Sequence, residues 1–220
     1  MNRLVLWGLL AVVPGIPAAA ESFVVDPEAG NNTFSAVFDA ALGERITAVS
    51  SSVSCRLNLD ERASTASGIC SVPLTAIRVD NEDTKTEHFQ QWSTNKKTHP
   101  KDCKLEAQFT ALPLQKLEPE KPVRFSGDIP FTVCGRPRTD GGKEHVEGTA
   151  VLLPTEGTSR KTIKIKAHLG QFSRDRYRIG PKYTEGWLSR VQSLANIVAD
   201  EGAIDLTVFA KEGKSQAKAE

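Results

Sequence analysis

Long apolar runs are missing from this chain after its first twenty residues. No later run reaches the ~20 residues of a membrane-crossing helix, so no span is expected once that leader is gone. A surplus of one charge is missing too. Lys and Arg total 28 against 27 Asp and Glu, a formal net charge of +1. There is no basic field to attract nucleic acid. The nearest thing to a basic stripe, Lys164 and Lys166 with His168, falls on one face of a strand and reads as solvated surface. Catalytic signatures are also absent. No Ser sits in a G-x-S-x-G elbow, no paired carboxylates flank an evident pocket, and no Gly-rich phosphate loop precedes a helix. With no candidate nucleophile or base, the chain reads as a non-enzyme. No C-x-x-C occurs, and only His99 stands near a Cys, four before Cys103, so no metal site is expected. One Met, nine Phe and three Trp suit a β-rich protein with aromatic fill.

What is present begins with the leader. Asn2-Arg3 is a short positive start, Leu4 to Val13 an apolar core, Pro14-Gly15 a break, and Ala18-Ala19-Ala20 a small-residue cleavage site. Residues 1–20 therefore read as a secretory signal peptide, and the mature chain is expected outside the cytoplasm, in a periplasm or extracellular. No Cys follows the cleavage site, which argues against a lipoprotein. Export changes the reading of the four cysteines, Cys55, Cys70, Cys103 and Cys134. An even count in an oxidising compartment suggests disulfides. Cys55–Cys70 and Cys103–Cys134 are favoured because each pair brackets a hairpin turn. In the second pair the strand phases disagree: Cys103 has inward parity and Cys134 outward, so a bulge or twist is required.

Period-two alternation dominates the mature chain. Phe125 to Gly135 shows it well, with Phe125, Gly127, Ile129, Phe131 and Val133 on one face and Pro130 as an irregularity. Phe34, Ala36 and Phe38 share a face. Arg45 to Leu59 reads as one long strand with Val49, Val53, Cys55, Leu57 and Leu59 in phase. Gly68 to Ile77 returns, with Cys70, Val72 and Leu74 inward. Cys103 to Leu112 carries Leu105, Ala107 and Phe109 inward; Lys161 to Leu169 carries Ile163, Ile165, Ala167 and Leu169. Ala203 to Ala210 is the last strand. Two stretches change period. Asp83 to Trp92 is expected as a helix with His88 and Trp92 on one face. Thr184 caps a second, from Glu185 to about Ile197, with Trp187 in its apolar stripe. Residues 211–220 hold no apolar residue beyond Ala and are expected to be a disordered tail. The fold class is mainly all-β: an antiparallel eight-stranded barrel with one or two short helices, spanning residues 21–210 as one domain. Closing the sheet removes its exposed edges, and a barrel of this size has room for one apolar ligand.

The residues resemble those of the YceI-like proteins. Phe23-Val24-Val25-Asp26-Pro27 is similar to that family's opening. Ser67 to Ile77 followed by Glu87-His88-Phe89, then Phe131-Thr132-Val133-Cys134-Gly135, then Phe172-Ser173-Arg174-Asp175 with Tyr177 and Ile179-Gly180, follow in the family's order. The chain departs from the family pattern at Cys134, at Thr98-His99-Pro100 and at Gln90-Gln91-Trp92. The resemblance implies a lipocalin-like barrel that binds polyisoprenoids or related long lipids, in exported bacterial proteins.

The expectation that follows is a carrier rather than a catalyst. Its partner is a long-chain apolar lipid (polyisoprenoid, fatty-acyl or quinone-like), with no cofactor besides such a bound lipid. Phe34, Phe38, Leu74, Phe109, Phe125, Ile129, Phe131 and Trp187 have the parity or placement to line the interior. His88 and Trp92 are expected at the mouth, with His88 either packed under it as an inert hydrogen-bonded group or orienting a headgroup. From the residues alone, lining and filling are equally open, which keeps a structural or interaction protein with a filled barrel as the alternative. A hydrolase of lipid-like esters is the second alternative, and a homodimer is left open.

Overall fold

The computed structural model describes residues 20–40, 43–94, 98–154, 160–184 and 198–213. Alternation builds twelve β-strands into one sheet, and their pairing sorts them into staves. β1 (Glu21–Val25) and β2 (Thr33–Ala40) lie end to end along one edge of the long β12 (Val198–Glu212). β3 (Arg45–Ser50) pairs with β2 and β4 (Ser54–Asp60) with β1. β5 (Thr65–Pro73) follows on β4, and β6 (Arg78–Val79) on β3. β7 (Lys104–Pro113) pairs with β5. β8 (Val123–Ile129) and β9 (Phe131–Val133) flank Pro130, β8 pairing with β10 (Glu144–Leu152) and β9 with β7. β11 (Thr162–Ser173) joins β10 back to β12. Twelve strands thus make the eight staves of the expected antiparallel barrel.

The hydrogen-bonded sheet does not close. β7 and β8 run side by side with no ladder between them. Pro130 is the cause at one end: it has no N–H to give, and there the chain changes partner from β10 to β7. Gln108 N donates to Pro130 O at 3.1 Å and ends the shared stretch. Beyond it the two strands meet through side chains, with Leu112 seated against Gly127, where a Cβ would come within 2.5 Å of Leu112 Cδ1.

Three expectations are corrected here. The single strand from Arg45 to Leu59 is broken at residues 51–53, and its phase flips. Ala48 and Ser50 face in on β3 and Val49 is 44% exposed, whereas Cys55, Leu57 and Leu59 face in on β4. The break is a local turn in which Val53 N donates to Ser51 O at 3.0 Å and Ser52 N to Ser50 Oγ at 3.1 Å. Strand β12 starts before Ala203 and runs past Ala210, so Lys211 and Glu212 pair with Thr162 and Phe23 instead of belonging to a tail. Helix α1 (Asp83–Thr94) forms where expected and continues two residues past Trp92. A second helix, α2 (Pro181–Thr184), precedes residue 185. The expected helix from Glu185, its Trp187, the leader through residue 19 and residues 214–220 lie outside the described residues.

Both disulfides form as paired in the sequence reading. Cys55 and Cys70 face each other directly across β4 and β5. Cys103 and Cys134 join despite their conflicting phases, because neither sits in a ladder. Cys103 precedes β7, and Cys134 follows β9 in a left-handed conformation with φ of 50°. Two disulfides fit an oxidising compartment. No helix among the described residues is long and apolar enough to cross a membrane. The second bridge spans 31 residues and holds α1's end of the barrel to β7. Replacing Cys103 and Cys134 together by Ala should cost about 2–4 kcal/mol. Urea unfolding of the non-reduced double variant measures it, and an unchanged midpoint would contradict the bridge.

Candidate functional site

Eight inward-facing stave surfaces enclose a lumen of about 110 Å³. Its wall is almost wholly carbon, with Val72, Phe109, Ile129, Val146, Ile165 and Val208 among the lining residues. Residues at the ring end of the lumen are buried, yet Ala107, Phe109, Phe125, Ile165, Ala167 and Leu206 are only half-buried although they face inward. A barrel packed solid to the usual density would leave such residues inaccessible. Ala107, Phe109 and Ile165 are exposed to the lumen, and Phe125, Ala167 and Leu206 border both the lumen and a second depression of about 970 Å³.

One end is a floor built from rings. Phe131 meets Phe172 at 5.5 Å and Tyr177 at 5.7 Å, both edge-on, and Phe172 stacks on Tyr177 at 5.1 Å. Phe38 adds an edge contact to Phe172 at 6.3 Å. Tyr177 is 0% exposed, so its hydroxyl needs a partner, and it donates to Glu144 Oε1 at 2.8 Å. Burial, then this carboxylate, drive the Tyr177 pKa far up, so the phenol remains a donor. Glu144 is itself buried and holds Arg138 Nη1 at 3.4 Å. Arg174 closes the floor from β12's side, donating to Val198 O at 2.7 Å and Ala199 O at 3.1 Å, with its guanidinium 5.6 Å from the Phe38 ring centre. Burial lowers the Arg174 pKa from its ordinary value.

The other end is crossed by a strap, residues 114–122. Leu114 N donates to Ser64 O at 2.9 Å on one side, and Glu120 N to Leu152 O at 2.9 Å on the other. Between these anchors Leu114 and Leu117 drop into the lumen. Around them lies a depression of about 330 Å³ that shares Leu59, Leu114, Leu117 and Ile163 with the lumen. Its rim is charged: Lys161 bonds Glu21, and Lys116 lies 3.4 Å from Glu61. The lumen therefore reaches solvent at the strap and ends blind at the rings.

Of the residues expected inside, Phe34, Phe109, Phe125, Ile129 and Phe131 line the lumen. Phe38 belongs to the floor, and Leu74, 0% exposed in a 3-10 turn over residues 74–76, packs outside the lumen wall. His88 and Trp92 stack on each other at 5.7 Å, but His88 is solvent-exposed and neither residue lines the lumen. Their helix sits at the floor end, where Arg136 joins Ser93 O to the barrel, so they are away from the mouth.

Several residues gave no periodic signal in the sequence. Tyr177 lies in an irregular segment with no period to mark it as core. Leu114 and Leu117 read as turn residues. The outer face holds a third surprise. Ser126 and Asp128 project outward on β8, and His145 stands opposite Asp128 on β10. The imidazole contacts Asp128 Oδ1 through Nδ1 at 2.8 Å and Ser126 Oγ through Nε2 at 3.0 Å. A second pair, His168 Nδ1 and Asp205 Oδ1 at 2.8 Å, stands two strands away. Among the described residues no group of three or more His, Cys, Asp or Glu side chains is placed to hold a metal ion.

No family model and no curated protein sequence matches the chain. Solved structures do. A polyisoprenoid-binding domain from Saccharophagus degradans, implicated in plant cell wall breakdown, superposes with a TM-score of 0.58 at 12% identity, covering 89% of this chain and 100% of that one. A mutant CJ YceI protein carrying a monobromobimane guest superposes with a TM-score of 0.42 at 12% identity, over 97% of this chain and 100% of that one. The chain has the fold of that polyisoprenoid-binding domain, the lipocalin-like barrel that its resemblance to the YceI-like proteins implied.

Proposed function

We propose that the protein is an exported lipid-binding protein whose lumen holds a long apolar chain, polyisoprenoid, quinone-like or fatty-acyl, without transforming it. The observation that carries this reading is the half-exposed ring of inward apolar residues around a carbon-walled lumen. Each Å² of apolar surface removed from water contributes about 25 cal/mol, so the chain needs no charged contact to bind. A polar head has no partner inside the wall, so the ligand enters tail first and its head stays at the strap. The Saccharophagus degradans neighbour, a polyisoprenoid-binding domain, supports this class of ligand. Export is supported by the leader and by the two disulfides.

The volume of about 110 Å³ is below the roughly 300–1,000 Å³ of drug-sized sites. A long chain must therefore displace something. Leu114 and Leu117 are the side chains to leave, since their strap is held by few bonds, and the ladder-free β7–β8 seam lets the wall widen. The test is a titration of the mature protein with a polyene fatty acid that fluoresces only out of water. Saturable fluorescence, reversed by a long-chain polyprenol, is expected, together with faster tryptic cleavage after Lys116 in the loaded protein. No fluorescence at micromolar protein would overturn the reading.

A further inference from the structure

We propose that the outer face of β8 and β10 carries a second, separate activity: hydrolysis of small acyl esters, with Ser126 as nucleophile and His145 as its base. This does not rest on the lumen or on what fills it. The Asp128 carboxylate can only accept, so the neutral imidazole keeps its proton on Nδ1 and donates it to Asp128. Nε2 is left with a lone pair facing the Ser126 hydroxyl at 3.0 Å. The tautomer that activates a serine is therefore the one the carboxylate enforces. Cross-strand register makes the arrangement rigid, because Ser126 and Asp128 are two apart on β8 and His145 pairs with Asp128.

An open, charged surface surrounds these side chains. Ser126 borders an open surface depression of about 970 Å³. Arg124 and Lys166 border it too, one residue pair along the strands, roughly 7 Å from the Ser126 row,. Neither makes an ion pair among the described residues. Glu147, paired with Ser126 across the ladder, borders the depression as well, so its rim carries both signs of charge. His145 and Asp128 are 64% and 67% exposed, so a small ester reaches them directly from solvent.

The chemistry balances with water alone. Ser126 Oγ bonds to the acyl carbon as its proton passes to Nε2 of His145. The imidazolium returns that proton to the alcohol as the C–O bond breaks. Water then adds to the acyl-serine, giving its proton to Nε2. The carboxylic acid leaves as Ser126 Oγ recovers the proton.

The experiment is labelling of the mature protein with a fluorophosphonate probe, mapped by peptide mass spectrometry, beside release of 4-nitrophenol from 4-nitrophenyl acetate. Label on Ser126 is expected. Ser126→Ala and His145→Gln should lose it, with the protein-dependent rate falling by about a hundredfold or more. His168→Gln should keep both, because the His168–Asp205 pair has no serine. All three positions lie on the outer face, and circular dichroism checks that each variant keeps its fold. No label on Ser126, a rate unchanged in Ser126→Ala, or an equal loss in His168→Gln would each overturn the proposal.

Discussion

Phe131→Asp should abolish the cooperative unfolding transition. Phe131 is 8% exposed on β9 and touches both Phe172 and Tyr177 in the ring floor. Truncating such a ring to Ala costs roughly 3–5 kcal/mol. Asp adds a carboxylate among carbon neighbours, which must stay unpaired or take up a proton, at several kcal/mol more. The sum approaches the ~5–15 kcal/mol that holds a whole domain. Thermal and urea unfolding should therefore show Phe131→Ala folded but weakened and Phe131→Asp without a transition. A Phe131→Asp protein with the parent midpoint would mean that Phe131 faces solvent and that the floor is wrongly drawn.

The second large effect is on binding. Ala107 on β7 and Ala167 on β11 both face the lumen and are half-buried. Changing both to Phe places two rings in a space of about 110 Å³. Overpacking costs on the order of 1–3 kcal/mol, which the barrel should survive, above all because the β7–β8 seam has no ladder to break. The ligand has nowhere to go. Affinity for the fluorescent polyene should fall at least tenfold while the unfolding transition remains cooperative. A folded double variant with undiminished affinity would place the ligand outside the lumen.

Much of the barrel was legible because alternation marks a half-buried strand directly. The inward parity of Phe125, Ile129 and Phe131, the outward lysines 164 and 166, and both disulfide pairings hold in the structure. Parity fails where the backbone adds a residue off the ladder. Val49 shares its numbering phase with Val53 yet faces out, because the turn at residues 51–53 resets the phase. The same freedom reconciles Cys103 with Cys134, since a residue at positive φ outside a ladder is not bound to either face. The ends of the barrel were not legible, because non-local packing decides them. Tyr177 is core only through its contacts with Phe131 and Phe172 and its bond to Glu144. His88 and Trp92 show helical spacing, but spacing does not say which end of the barrel a helix covers. Ser126 and His145 are 19 residues apart, and only the β8–β10 register brings them together.

A lumen that binds lipid, unlike a packed core, yields its ligand. Organic-solvent extraction of the purified mature protein, followed by mass spectrometry of the extract, tests it most directly. One long apolar lipid recovered in near-stoichiometric amount, and lost from the Ala107→Phe, Ala167→Phe variant, is the predicted result. Repeated empty extracts from protein that also fails to take up added polyprenol would contradict it, leaving a barrel whose interior only holds itself together.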